Sequence, residues 1–260
     1  MGRIDGEIRA GGFTRRDVLR AFGAFATVML LREAAVAAPA RRMAATDWIA
    51  RQDEAARALA AGRLAPRAWM AEVERLAAEV DVAELMVSVN RARITAAGRG
   101  AANDPAKRHV KFLDPATGEP RELAYGAALF DFEPGNVITP HAHRHMASAH
   151  LVVDGRVRVR NYDRVRDDGD AIVIRPTRDA VFGVGAVSTM SSERDNVHWF
   201  VPQRGRATTF DVVISDLDAG EPPYEIRALD PLAATPLADG ALRTPVIGFA
   251  DASKKYTADV

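Results

Sequence analysis

Apolar residues follow two different periods along this chain. Between Thr46 and Val80 they recur at three- and four-residue intervals, the spacing of one face of an α-helix. Thr46 is a suitable N-cap for a helix running from Asp47 through "DWIARQDEAARALAA" to Gly62. A second helix is expected from Pro66, a residue welcome in the first turn. In it Trp69, Val73, Leu76 and Val80 face the core, while Glu72, Glu74, Arg75 and Glu79 lie elsewhere. From Thr95 to Pro120 no period is sustained, and Gly, Asn, Asp and Pro point to a connection over the surface. The pattern then shortens. "ELAYGAALFDFE", "SAHLVVDGRVRVRNY", "DAIVIRP", "DAVFGVGAVSTM", "NVHWFVP" and "ATTFDVVISD" are brief β-rich runs separated by turn residues, which predict an antiparallel sandwich or barrel. Asp154-Gly155 reads as a type I′ hairpin turn, since both residues tolerate positive φ. In the run that follows, Val157 and Val159 alternate with Arg156, Arg158 and Arg160. The valines are expected to face the core and the arginines solvent; the opposite register would aim the arginines at an anionic substrate. The stretch from Asp218 to Val260, with five prolines, is expected to wrap the outside.

Composition narrows the chemistry. The 260 residues carry 35 basic and 35 acidic side chains, which argues against a protein built to coat nucleic acid. No apolar run approaches the roughly 20 residues of a membrane-spanning helix, so no stable membrane anchor is expected. Cysteine is absent. Disulfides, thiolate metal sites and a cysteine nucleophile are therefore excluded, leaving histidine, carboxylate and hydroxyl chemistry.

Of six histidines, four fall between Pro134 and Tyr162. Alternate residues on a strand share a face, so His141 and His143 can present both imidazoles to one point. Pro140 stiffens the approach and Gly135 permits the turn into it. His145 is expected to overshoot toward a barrel mouth, and His150 to lie on the strand that follows. Imidazole ligands suit iron, zinc, copper or nickel.

The spacing Gly135-x5-His141-x-His143, followed by Gly155, resembles the first signature of the cupin family. That likeness implies a double-stranded β-helix, a jelly-roll-like barrel with the N-terminal helices packed outside. Cupins usually carry a glutamate ligand where this chain has Ser148. The resemblance also implies a third ligand from downstream, and His198 in "DNVHWF" is the histidine there; the Pro-x-Gly that normally precedes it is missing. Within the cupins, residues Ala124 to Ile226 are most similar to the cysteamine and plant cysteine oxidase type thiol dioxygenases, which use three histidines and no glutamate. Tyr162-Asp163, the Asn196-Val197-His198 segment, Asp211 and Pro222-Pro223-Tyr224 match their motifs, although Glu193, Arg194 and Asp195 replace the usual glycines. The resemblance implies Fe(II), or else zinc, nickel, manganese or copper, held by His141, His143 and His198. It further implies Asp211 and Tyr162 as catalytic residues, and a small thiol or thiol-bearing peptide oxidised by dioxygen to a sulfinic acid. A non-catalytic metal- or ligand-binding cupin, and a cupin enzyme of other chemistry, such as an isomerase or a zinc hydrolase, are the alternatives.

The N-terminus adds an address. Thr14-Arg15-Arg16-Asp17-Val18-Leu19-Arg20 resembles the twin-arginine export signal, followed by an apolar stretch from Ala21 to Leu31 and small residues around Ala35-Val36-Ala37. The expected organisation is a signal over residues 1–40, a helical segment over 41–95 and a barrel with its tail over 96–260. The twin-arginine machinery would then be a partner and the periplasm the destination, a route that carries proteins already folded.

Overall fold

The computed structural model describes residues 42–97, 103–218 and 225–257; the proposed export signal lies outside them. Among the described residues three helices come first: α1 (Ala45–Ala60), α2 (Pro66–Glu79) and α3 (Val82–Asn90). Helix α1 buries Trp48, Ile49, Gln52, Ala55, Ala56 and Leu59, and α2 buries Trp69, Met70, Val73, Leu76 and Ala77, the faces their periodicity predicts. The expected Thr46 cap is not formed. The helix starts at Ala45 with Ala44 as N-cap and no capping side chain. The cause lies just upstream, where Met43 bridges Val80, donating to the Glu79 carbonyl at 2.6 Å and accepting from the Asp81 amide at 3.2 Å. The chain is thus already extended and anchored before the first turn. Asp81 does cap a helix, α3, by accepting from the Ala83 and Glu84 amides at 3.0 and 3.2 Å.

Thirteen strands follow. The surface connection expected over Thr95–Pro120 instead contributes two, β1 (Arg93–Ala96) and β2 (Ala106–Lys111). Only Val110 of β2 is buried, so no alternating apolar pattern announces this strand; backbone pairing with β1 and β3 and a two-pronged Arg108–Asp131 contact at 2.6 and 2.9 Å hold it. The next eight strands are β3 (Gly126–Phe132), β4 (Ile138–Arg144), β5 (Ala147–Asp154), β6 (Arg156–Asp168), β7 (Ala171–Gly183), β8 (Val187–Met190), β9 (Val197–Pro202) and β10 (Ala207–Ile214). They form two antiparallel sheets, β3-β10-β5-β8 and β4-β9-β6-β7. Successive strands cross from one sheet to the other at most steps, which is the jelly-roll order of the expected double-stranded β-helix.

This order corrects one local expectation. Asp154-Gly155 is not a hairpin, because β5 pairs with β10 and β8 whereas β6 pairs with β7 and β9. The turn is a corner between sheets, and only Gly155 takes positive φ there, at 69°. Two β-rich runs around Asp-Gly look alike whether they pair or part. The hairpin sits farther on, between β6 and β7, at Gly169 (φ 63°).

The helices cover the outer face of the first sheet, where Trp48 meets Phe210 edge-on at 5.8 Å. They share a core with Ala127, Leu129, Ala149, Leu151, Val153 and Val212. Inside the barrel, Phe132, Ile138, Val152, Val157, Val159 and Phe200 fill one end. Val157 and Val159 face inward as read, and Arg158 pairs outside with Asp179 at 2.7 Å. The tail does cover the second sheet, but as structure rather than loose wrapping. Strand β11 (Glu225–Ala228) extends β4, while β12 (Thr235–Pro236) and β13 (Leu242–Pro245) extend β7. Helix α4 (Phe249–Lys255) leads to Tyr256, which is fully buried against Trp199 at 4.9 Å.

A Cβ at residue 155 would meet the Arg206 carbonyl oxygen at 2.3 Å and Ala207 Cα at 2.9 Å. Gly155→Ala is therefore expected to destabilise the protein by roughly 2 kcal/mol or more, read as a lower midpoint in denaturant unfolding.

Candidate metal centre

The histidines converge because two strands pair in one register. His141 on β4 lies directly opposite His198 on β9, and His143 follows His141 two residues along the same face. The β4 ladder is irregular between Ile138 and His141, where Pro140, lacking an N–H, is tolerated. The Asn196 side chain ties the two strands together. Its Oδ1 accepts the His143 amide at 3.2 Å, and its Nδ2 donates to the Ser191 carbonyl at 3.1 Å. Asp195 adopts φ 51°, a left-handed conformation that Asp tolerates better than most residues. Its amide donates to Asp163 Oδ1 at 2.8 Å.

The Nε2 atoms of His141 and His198 are 3.0 Å apart, and those of His143 and His198 are 3.4 Å apart. At a metal–nitrogen distance of about 2.1 Å, ligands subtending roughly 90–110° lie about 3.0–3.4 Å from each other. Two of the three separations match a shared cation, and the ligand atoms of all three lie within 4.8 Å of one another, a group able to hold a metal ion. Protonation agrees with this. His141 Nδ1 meets the Thr139 carbonyl oxygen at 2.7 Å, so Nδ1 carries the hydrogen and Nε2 keeps its lone pair for a metal. Burial drives the His141 pKa down to about 4, opposed in part by that backbone bond. Burial, followed by the neighbouring imidazoles, holds His143 and His198 well below the usual histidine value. Three neutral imidazoles are what a metal needs as ligands.

Among the described residues no carboxylate joins them. Ser148 is buried on β5 with Oγ 3.2 Å from His150 Nε2. Asp211 is completely buried on β10 and faces His150 across the β5–β10 ladder, with Oδ2 2.5 Å from Nδ1, a close charge contact that lacks the geometry of a hydrogen bond. Thr209 Oγ1 donates to its other oxygen at 2.8 Å. His150 is thus a paired core residue on its strand, and its ring also lies 4.8 Å from that of His198. His145 leaves the cluster. It has φ 56° just past the end of β4, and its Nδ1 is 2.8 Å from Asp218 Oδ2.

Tyr162 is placed on the opposite face of the second sheet, in an apolar cluster with Ala142, Ile174, Val197 and Leu229. There it lines an outer groove of about 570 Å³ with Arg160 and Trp199. The inward residue of that strand is Asn161, the ladder partner of His198, whose side chain meets Ser188 Oγ at 3.3 Å. Strand period, applied one residue earlier, would have found it. Pro222-Pro223-Tyr224 lies outside the described residues. A cavity of about 200 Å³ opens beside the cluster, lined by Phe130, Ile138, Thr139 and His141 with Lys107 and Phe249.

No family model matches the chain, and no curated protein matches it. Solved structures that it resembles include KdgF from Halomonas sp., at 16% identity and a TM-score of 0.31 over 44% of this chain and 82% of that one. A protein with a double-stranded β-helix domain from Klebsiella pneumoniae is 15% identical, with a TM-score of 0.31 over 49% and 88% of the two chains. Oxalate oxidase with the substrate analogue glycolate is 20% identical, with a TM-score of 0.33 over 48% and 58%. The strand order, rather than these likenesses, defines the fold.

His198→Ala is expected to abolish stoichiometric binding of a divalent metal, measured by metal analysis after dialysis; full retention would refute the ligand set. The metal-free protein should also be acid-sensitive. The folded-state pKa of His141 lies below the unfolded value of about 6.5, so the unfolded chain binds more protons between that value and about 4. The stability associated with the neutral imidazoles is complete above about pH 6.5 and is lost as the pH falls through this window. Thermal melts at several pH values, with and without metal, read it directly.

Proposed function

We propose that this chain is a non-haem Fe(II) dioxygenase that oxidises a thiol to a sulfinic acid. The observation that carries the reading is a ligand set of three neutral imidazoles with a serine where a carboxylate would otherwise stand. Such a set leaves the full charge of a divalent ion uncompensated, which favours an anionic ligand such as a thiolate and lowers the pKa of the thiol that supplies it. A ferrous ion held there would supply the chemistry that joins a thiol and dioxygen. The protein's own task is then binding, orientation and exclusion of water. His141, His143 and His198 hold the ion. Phe130, Ile138 and Phe249 line the approach beside His141, together with the charged Asp104 and Lys107. The cavity size suits a small thiol or the end of a peptide.

Protein reconstituted anaerobically with Fe(II) is expected to consume oxygen on addition of cysteamine, cysteine or an N-terminal-cysteine peptide. The product should be the sulfinic acid, heavier by two oxygen atoms. Stoichiometric metal without oxygen uptake across a broad thiol panel would reject this activity and leave a metal- or ligand-binding protein, or an enzyme of other chemistry.

The motif around Arg15 and Arg16 supports export as part of the same proposal, with the metal loaded before translocation. An Arg15→Lys, Arg16→Lys variant is expected to remain in the cytoplasm, seen by cell fractionation. Periplasmic recovery equal to the parent would reject the twin-arginine route.

A further inference from the structure

His198 differs from His141 in how its ring is held. His141 is fixed by its Nδ1 bond to the Thr139 carbonyl. The Nδ1 of His198 is buried and has no protein partner among the described residues. Its plane is therefore set by packing, with Phe200 at 4.9 Å and 31° on one hand and His150 at 4.8 Å and 88° on the other. His150 is in turn seated against Phe200 at 4.7 Å, Ser148 Oγ at 3.2 Å and the buried Asp211 at 2.5 Å. A carboxylate with no exposed surface is costly unless it is paired, and a purely structural core would do as well with an apolar pair. Here the pair lies between the β5–β10 ladder and a residue that holds the metal.

We propose that Asp211 and His150 are positioning residues: Asp211 fixes the His150 ring, whose edge sets the plane of His198 and thereby the direction of its Nε2, while His150 Nε2 holds the Ser148 hydroxyl at the face of the site that lacks a carboxylate. The inference rests on the three-histidine reading and extends it to a fourth histidine that is not a ligand. Asp211 accordingly acts through His150, not directly on a ligand.

The test uses Co(II) as the probe, because its visible absorption reports ligand geometry without turnover. The His150→Leu, Asp211→Leu double variant removes both polar partners together, so that neither is left buried alone, and should melt at or above the temperature of the parent. Its Co(II) spectrum should nevertheless shift, and its Co(II) affinity should fall by roughly tenfold or more, the usual scale for residues that orient metal ligands. His150→Phe with Asp211→Leu keeps an aromatic edge against His198 and should recover part of the spectrum. Should the leucine pair fail to fold, the near-isosteric Asp211→Asn is expected to shift the spectrum the same way by a smaller amount. A parental spectrum and affinity in the folded double variant, or in Asp211→Asn where that variant is used, overturns the brace. Its failure is distinct from that of the metal site, since His198→Ala protein that still binds Co(II) would reject the three-histidine reading whatever the brace variants do.

Discussion

The pairing of β4 with β9 is the contact on which the site depends. It puts His141 opposite His198, and a slip of one residue would turn His198 outward and bring Trp199 or Val197 in its place. Several features oppose that slip. Asn196 bonds the backbone of β4. Trp199 is buried on the outer face beneath Tyr256, with the Arg160 guanidinium 3.8 Å above its ring. Val197 sits in the other outer cluster with Leu229. The apolar cover supplied by the C-terminal residues therefore does more than shield a sheet. It makes the outer face of β9 unsuitable for histidine and the inner face unsuitable for tryptophan, which fixes where the imidazole points.

The same logic explains which parts were legible in the sequence. Helices α1 and α2 announce themselves by a period that packing obeys, and the inward valines of β6 follow from alternation. His141 and His143 are readable because alternation on a single strand is a local property. The meeting with His198 is not local; it required a family pattern to suggest it and the ladder register to realise it. Asn161 and His150 escaped for the same reason, since their proximity to His198 arises from sheet pairing and not from spacing along the chain. Tyr162 illustrates the converse: a matched motif says nothing about which face a side chain takes, and simple alternation after Val157, Val159 and Asn161 turns Tyr162 to the far side, among apolar residues. Strands β1 and β2 were invisible because their side chains are mostly exposed or half-buried, and strands held by backbone ladders need little apolar pattern.

The barrel is also divided along its length by chemistry. At one end Phe132, Val152, Val157, Val159 and Phe200 make an apolar plug, while His143, Ser148, His150, Asn161, Ser188, Thr209 and Asp211 are polar and buried. A small domain rarely hides so many polar groups together, because each must find a partner or carry a desolvation cost. Most of them are paired in the ladders or with one another. The exceptions there, among the described residues, are Nδ1 of His143, His150 and His198 and Oδ2 of Asp211; two of these atoms belong to imidazoles whose Nε2 groups converge. Free energy from cation binding is available at that point, which allows the fold to keep a polar region that packing alone would not favour.

Placing Asp211, which has no exposed surface, beside His150 and not among the converging Nε2 atoms has an electrostatic consequence. A carboxylate among those atoms would put a negative charge into direct contact with a bound cation and weaken its attraction for a second anion. Asp211 instead lies with Oδ2 2.5 Å from His150 Nδ1 and accepts from Thr209 Oγ1 at Oδ1. The imidazole ring therefore separates it from the ligand face. The cation's field is then spent on whatever occupies the remaining positions. The barrel thus keeps a buried acid for shape while presenting a neutral set of three imidazoles at the point where their Nε2 atoms converge.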